Sequence, residues 1–374
     1  MCIRDSNKID ETMVVQSGML LSEIHAICEE NDMLFPLSLA SEGSCTIGGN
    51  LATNAGGVGV LYYGNTRELT LGLEVVLSDG SIINLLKTLK KDNTGYSLKD
   101  LFIGSEGTLG IITAASLKIF QKPKEKFTFL ASSRSPKKSL EFLRMIQKST
   151  SIPLTSFEIM NNNSIKTVLK NIDGAILPIS KEAEWYILIE FSSYEKKLDA
   201  IDKINEIVNL GLEKKIISNA VFANSKKQSK QIWDLRENIS EAQRKDGASI
   251  KNDISVPIFA VDEFIKKADS IVSKAIPKAK KITFGHLGDG NIHYNISQPE
   301  NLSQDSFFKL ERPLREKLLS LIVNMDGSFS AEHGIGIVRK KDALKIKGDE
   351  IKIMKSIKKS LDPKNILNPG KIFD

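Results

Sequence analysis

A chain of 374 residues with 41% apolar residues is long enough for two domains with substantial cores. Its formal charge of +6 comes from lysines scattered among acids, and only nine of the 52 basic residues are arginine, which excludes the clustered-arginine patches of nucleic-acid readers and reads as solvated surface. No run of 18 apolar residues offers a membrane span, and three widely spaced cysteines (Cys2, Cys28, Cys45) with no CxxC pair fit a reducing compartment and exclude a disulfide scaffold or a cysteine-built iron–sulfur site.

In chain order, the opening "MCIRDS" has no apolar signal-peptide core and suggests no element. "TMVVQSGMLLSEIHAICEEND" then reads as strand, Gly turn and helix, as if the chain starts inside a domain. The expectation is that the first half-dozen residues are not native and that further sequence precedes them. In "PLSLASEGSCTIGGNLATNAGGVGVLYYG", seven glycines from Gly43 to Gly64 crowd together. "LTLGLEVVLSDGSIINL" is an apolar strand, an Asp-Gly turn and a second strand, the clearest hairpin signal in the chain. "DLFIGSEGTLGIITAASLKIF" reads as a short helix or turn, a small-residue loop and a strand.

The Pro-centred connector "QKPKEK" at 121–126 marks a domain boundary. Beyond it, strands such as "KFTFLASS" and "WYILIEFSS" alternate with helices such as "SPKKSLEFLRMIQKST" and "EKKLDAIDKINEIVNLG", which predicts an α+β domain with helices packed on an antiparallel sheet. One continuous helix is expected over about 225–247, others over 262–276 and 303–325, then a loop "SFSAEHGIG" and a Lys-rich terminal helix. The resulting division is 1–121, 122–325 and 326–374, the last segment returning to the first domain.

Several constellations can carry chemistry. The glycine belt, with Ser44, Thr46, Asn50 and Asn54 between its glycines, suits close backbone approach to a flat, phosphate-bearing cofactor; a set of ordinary turns is the alternative. It is not the GxGxxG dinucleotide fingerprint, so no NAD site is expected. "GSEGTLG" at 104–110 is a second loop of the same character. In "GHLGDGNIHYN", a turn in which Gly288, Asp289, Gly290 and Asn291 favour positive φ places His286 and His293 on paired strands near the reversal, with Asn295 on the face of His293. A hairpin with two surface histidines is the alternative.

"SAEHGIG" adds Glu332 beside His333, read as a buried carboxylate next to an imidazole. Two His and one Glu form a common ligand set for a catalytic divalent metal with an open position, which leaves His333 as a general base. Asp289 is the rival ligand but suits the turn without any metal. In "WDLRENISEAQRKDGASIKNDISVP", Arg236 and Ser240 four residues apart would share a helix face, with Lys251 on the incoming strand. Together they suit a carboxylate-bearing substrate, whereas Arg236 in isolation would be a surface salt bridge.

Six motifs, "PLSLASEGSCTIGGNLATNAGGV", "LFIGSEGTLGIIT", "WDLRENISEA", "GHLGDGNIHYN", "FSAEHGIG" and "LDPKNILNPGK", resemble in order and spacing the FAD-linked 2-hydroxy-acid dehydrogenases of the vanillyl-alcohol-oxidase superfamily. Within it the chain is most similar to the D-2-hydroxyglutarate and D-lactate dehydrogenases. The resemblance implies a two-domain α+β flavoprotein: a FAD-binding domain whose Gly-rich first subdomain is absent here, and a substrate (cap) domain. It implies FAD contacts at Pro36, Gly43, Ser44, Thr46, Gly48 and Gly49, at Asn50, Asn54, Gly56, Gly57 and Gly64, and at Gly104, Ser105, Glu106, Gly107, Gly110 and Ile111. Asn368 and Lys371 would return to the flavin. It further implies a metal, zinc by expectation, on His286, His293 and Glu332. Arg236, Ser240, Lys251 and Asn295 would bind substrate, and His333 would be catalytic. Ser240 stands where that branch has Thr, which keeps the hydroxyl.

The implied reaction oxidises a D-2-hydroxy acid to the 2-oxo acid, with hydride passing to flavin N5 and electrons then to a quinone or an electron-transfer flavoprotein. The same resemblance admits a D-lactate or glycolate dehydrogenase subunit, and a non-catalytic flavin-binding subunit of a redox complex is the reading from another class. The expected setting is cytoplasmic, with peripheral association at the inner membrane and a homodimer both allowed for.

Overall fold

A computed structural model of the chain describes residues 3–194 and 197–373. It divides into two compact units: residues 1–122 with 332–374, and residues 123–331. The first crossing falls inside the predicted connector. The second lies beyond the expected 325/326 because Ser255 and Ser328 exchange backbone hydrogen bonds (2.9 and 2.8 Å), which keeps the segment around Ser328 with the second unit. Cys2 and residues 195–196, the start of one predicted helix, lie outside the described residues.

The first unit is built on strands β1 (Ile3–Asn7), β2 (Thr12–Gln16), β3 (Met33–Leu34), β4 (Thr70–Val76), β5 (Ile82–Asn84), β6 (Ile111–Lys118) and β7 (Phe120–Gln121). Five of them form an antiparallel sheet ordered β1-β2-β6-β4-β5, while β3 pairs with β7. The residues "IRDSN", to which no element was assigned from sequence, are the edge strand β1 against β2. The predicted hairpin is β4–β5, with Gly80 at φ 85° in its turn. Helices α1 (Leu21–Glu30), α2 (Ile47–Thr53), α3 (Val60–Tyr63) and α4 (Lys99–Phe102) complete this part. Ile24 of α1 and Leu51 of α2 join Val15, Leu73 and Leu117 of the sheet in one core. Within it Cys28 is a buried free thiol whose pKa burial raises to about 11, well away from reactivity.

The second unit carries β8 (Glu125–Ser133), β9 (Leu154–Asn161), β10 (Trp185–Ser193), β11 (Asn219–Phe222), β12 (Ser249–Ile250), β13 (Asp253–Ser255), β14 (Lys280–His286) and β15 (Asn291–Ser297). They form one antiparallel sheet ordered β11-β8-β10-β9-β14-β15-β12, with β13 also on β15. Central β10, "WYILIEFSS", is buried at almost every position, which is why it reads as a continuous apolar run.

The helices are α5 (Pro136–Ser149), α6 (Asn162–Asn171), α7 (Lys197–Glu213), α8 (Lys226–Glu237), α9 (Ile239–Asp246), α10 (Val261–Ala275), α11 (Gln304–Lys309) and α12 (Glu311–Val323). In α5, Ser135 caps the Lys138 N–H, Pro136 sits in the first turn, and Phe142, Leu143 and Ile146 make the buried stripe. The expected single helix 225–247 breaks at Asn238, whose side-chain amide donates back to Asp234 O (2.8 Å), and 303–325 breaks at Leu310. The C-terminal stretch of the first unit likewise holds two helices, α13 (Lys340–Ile346) and α14 (Gly348–Leu361). Among the described residues no helix is long and apolar enough to cross a membrane.

Candidate functional site

In the second unit, β9, β14, β15 and β13 lie side by side, and their register aligns polar residues on one face. Glu158 pairs with His286, His286 with Asn291, and Asn291 with Ser255; one step along, Phe284 pairs with His293 and His293 with Asp253. Cross-strand partners point to the same side of a sheet, so both imidazoles emerge together, with ring centroids 5.9 Å apart. The turn between them is tight: Gly290 takes φ 85°, its N–H reaches His286 O (3.1 Å), and a Cβ there would lie 2.2 Å from Val256 O. Gly290 alone of the four residues expected at positive φ adopts it; Asn291 is already strand.

Each imidazole has a carboxylate at Nδ1. Glu158, 1% exposed, holds His286 Nδ1 at 2.7 Å through Oε1 and accepts from Arg236 Nε at 2.8 Å through Oε2. Burial would raise the Glu158 carboxyl, but the facing His286 and Arg236 outweigh it and hold the pKa down at about 2. An ionised carboxylate only accepts, so His286 carries a hydrogen on Nδ1, and in its neutral form the ring has its lone pair on Nε2. Asp253 lies 3.6 Å from His293 Nδ1 and accepts from Asn291 Nδ2 at 2.8 Å. Glu158 and Asp253 were missed in the sequence. For Glu158 the available signal was an acid set between Phe157 and the apolar pair Ile159 and Met160, where an unpartnered charge would be costly.

Arg236 is buried, its guanidinium 4.7 Å above the Phe284 ring, which in turn lies 4.9 Å from the His293 ring. Ser240 does not share its helix face: the break at Asn238 puts it in the first turn of α9, exposed to solvent, while Arg236 ends α8. Lys251 is exposed between β12 and β13. Asn295 is buried, and both ends of its amide are engaged, Nδ2 with Gln243 Oε1 (3.0 Å) and Oδ1 with the Asn252 N–H (3.2 Å).

Glu332 and His333 belong to the first unit. Glu332 is half-buried and accepts from the Gly57 N–H at 3.0 Å, whereas His333 is exposed, so the pair is not the buried dyad expected from an apolar-looking loop. Much of the glycine belt is used for close packing within this unit. A Cβ on Gly48 would meet Ser17, on Gly57 Ser38 O, on Gly64 Glu68, and on Gly110 the Val75 and Phe102 side chains, all at 3.0 Å or less. Glu106 and Asn368 are also engaged: the Glu106 carboxylate accepts from the Ile335 and Gly336 N–H groups, and Asn368 Nδ2 donates to Glu106 O. Gly43, by contrast, has no described atom within 4 Å of its Cβ position, and Gly107 none closer than 3.8 Å.

Residues 122–372 match the family model of FAD-linked oxidases, C-terminal domain, and residues 2–86 match that of the FAD binding domain. The chain belongs to the FAD-linked oxidases. It is 36% identical to a D-2-hydroxyglutarate dehydrogenase of Xanthomonas citri pv. viticola, covering 99% of this chain and 77% of that one. It is 37% identical to the mitochondrial D-2-hydroxyglutarate dehydrogenase of Arabidopsis thaliana, covering 98% of this chain but 64% of that one. In fold it is similar to p-cresol methylhydroxylase, with a TM-score of 0.76 at 16% identity, over 100% of this chain and 78% of that one.

The residues of this FAD-linked oxidase fit the cofactor of its family. In the first unit a pocket of about 180 Å³ is walled by Gly48, Ala52, Ser105, Gly107, Gly110, Ile111 and Ile112, small side chains that let a flat ring approach the backbone. The donor set of the second unit also suits a divalent ion: two imidazoles with carboxylates at Nδ1 are the usual setting of ligating histidines, and the buried Asn291 Oδ1 beside them accepts no hydrogen bond among the described residues.

Proposed function

We propose that this FAD-linked oxidase converts a D-2-hydroxy acid to the 2-oxo acid, with D-2-hydroxyglutarate the favoured substrate. The observation that carries the reading is the paired imidazoles with their carboxylates, set beside the buried Arg236. It is supported by relatives at 36% and 37% identity that bear the name D-2-hydroxyglutarate dehydrogenase. The first unit would serve as the flavin domain and the second as the substrate domain.

FAD would be held against the small-residue pocket of the first unit and would supply the acceptor for the hydride of the substrate Cα. A divalent ion, zinc in this proposal, would be held by His286, His293 and Glu332 and would supply Lewis-acid polarisation of the substrate hydroxyl. Arg236 keeps its Nη donors for a substrate carboxylate while Nε is fixed on Glu158. Lys251 and Ser240 provide a second cation and a hydroxyl, and two cations favour a dicarboxylate over lactate. Asn295 holds the strand that carries His293, and His333 takes the hydroxyl proton on an imidazole nitrogen. A quinone or an electron-transfer flavoprotein would take the electrons.

The test is turnover with D-2-hydroxyglutarate, D-malate, D-lactate and glycolate, using an artificial electron acceptor, before and after rigorous chelation. The proposal expects the dicarboxylates to lead and activity to vanish with the metal. Full turnover after chelation would sink the metal role, and a preference for D-lactate or glycolate would reassign the substrate. His286→Ala and His293→Ala are each expected to abolish turnover while flavin stays bound.

A further inference from the structure

We propose that Glu158 is the positioning residue of the second unit's site, fixing by one carboxylate both the tautomer of His286 and the orientation of Arg236. The inference rests on the metal and substrate roles proposed above. Its two oxygens are divided between partners on different elements, Oε1 to His286 at the end of β14 and Oε2 to Arg236 in the last turn of α8. A buried ion pair needs only the arginine to balance its charge. The second oxygen is spent on an imidazole that the same sheet register holds directly opposite.

The chemistry of the three groups makes the arrangement directional. Arg236 Nε can only donate, and the carboxylate facing it can only accept, so the other oxygen must also accept, from Nδ1–H. In the neutral ring that leaves Nε2 of His286 with the lone pair a metal requires. Arg236 is meanwhile held at two points, Nε on Glu158 and Cζ 4.7 Å from the Phe284 ring centroid, which restricts the direction of its Nη fork.

Glu158→Gln exposes the dependence, because it keeps shape and loses symmetry. Its amide oxygen must face Arg236 Nε–H, so its NH₂ must face His286. Nδ1 then becomes the acceptor, and the proton moves to Nε2, where it blocks metal ligation. Glu158→Asp keeps two acceptor oxygens and retains the wild-type tautomer.

The experiment uses the full chain. Long-range ¹⁵N–¹H correlation spectra of the histidine side chains in metal-free protein give the tautomer, and chelator competition with zinc alone gives affinity. The expected result is Nδ1–H at His286 in wild type and E158D, Nε2–H in E158Q, and zinc affinity lower in E158Q by about 10- to 100-fold. KM for D-2-hydroxyglutarate should rise in E158Q as well, because a neutral amide oxygen holds Arg236 less firmly than the carboxylate does. An unchanged tautomer in E158Q, or equal zinc affinity in the two proteins, overturns the inference. A wild type that binds no zinc but shows the tautomer change supports control of His286 by Glu158 and overturns the metal reading alone. If E158Q does not fold, wild type decides: Nε2–H at His286 there overturns the inference, and Nδ1–H there and in E158D supports it.

Discussion

Asn368 donates its side-chain amide to the backbone carbonyl of Glu106 across 2.6 Å, joining the loop at 104–110 to the C-terminal segment of the same unit. The Glu106 carboxylate extends the join, accepting from Ile335 N–H at 2.7 Å and Gly336 N–H at 2.8 Å. Glu106→Ala removes both acceptors at once and is expected to cost about 2 kcal/mol. Because Ser105 and Gly107 line the small-residue pocket, the variant should also release flavin faster. Urea midpoints and flavin absorbance after gel filtration measure the two effects; an unchanged midpoint would show that the join contributes no stability.

Behind that loop lies an ion pair that the sequence reading passed over. Lys358, 8% exposed, donates to Thr108 O (2.8 Å), Leu367 O (2.7 Å) and the Asp362 carboxylate, an i,i+4 pair straddling the end of α14. Lys358→Met leaves Asp362 buried with its cation gone, and the expected cost is about 3 kcal/mol. Lys358→Met combined with Asp362→Leu should recover much of it, since no buried charge then lacks its partner. Thermal melting of the two variants checks this, and an equal loss in both would show that packing rather than charge sets the cost.

Asp246 carries a pH dependence with a definite sign. Burial would raise its carboxyl, but hydrogen bonds from Lys170 and Lys280, each 2.7 Å long, outweigh it and lower the pKa from 3.8 to about 2. A carboxyl lower in the folded than in the unfolded chain contributes stability above its unfolded pKa and loses it as pH falls through the folded one. Both lysines are well exposed, so solvent screens the pair and about 1 kcal/mol is a fair expectation. The chain should therefore lose stability between pH 4 and pH 2, and Asp246→Asn should remove that part of the decline. Parallel urea titrations would decide, and superimposable curves would rule out the contribution.

Legibility in the sequence followed the range of the forces involved. The β4–β5 hairpin, the alternation of strands and helices beyond residue 125, and the convergence of His286 and His293 were readable because local turn chemistry and side-chain period determine them. The break at Asn238 was not, because a helical period runs unbroken through "LRENISEA" and the buried positions Ile232, Leu235, Arg236, Ile239, Ala242 and Gln243 continue that period across it. Glu158 and Asp253 escaped for a related reason. Their partners lie on other strands and on α8, and sheet register, not sequence spacing, supplies them. Ser240 was read from i,i+4 spacing on one continuous helix, and the burial of Glu332–His333 was inferred from apolar neighbours, which says nothing of what covers a loop.

The glycine belt holds two kinds of glycine, and substitution separates them. A Cβ on Gly110 would lie 2.5 Å from Val75 Cγ1 and 3.0 Å from Phe102 Cε1, both in the core, so neither neighbour can retreat into solvent. Gly110→Ala should cost about 1–3 kcal/mol by overpacking, whatever is bound. Gly43 is exposed, lies outside the positive-φ region and has no described atom within 4 Å of its Cβ position. Gly43→Ala should leave the melting temperature of the flavin-free protein unchanged. A methyl there can therefore register only against something that comes to it from outside the chain. If Gly43 contacts FAD, the alanine variant will keep its apo stability while flavin affinity falls severalfold. Equal flavin affinity with equal stability would remove Gly43 from the cofactor site, and a melting temperature as low as that of Gly110→Ala would place it among the packing glycines.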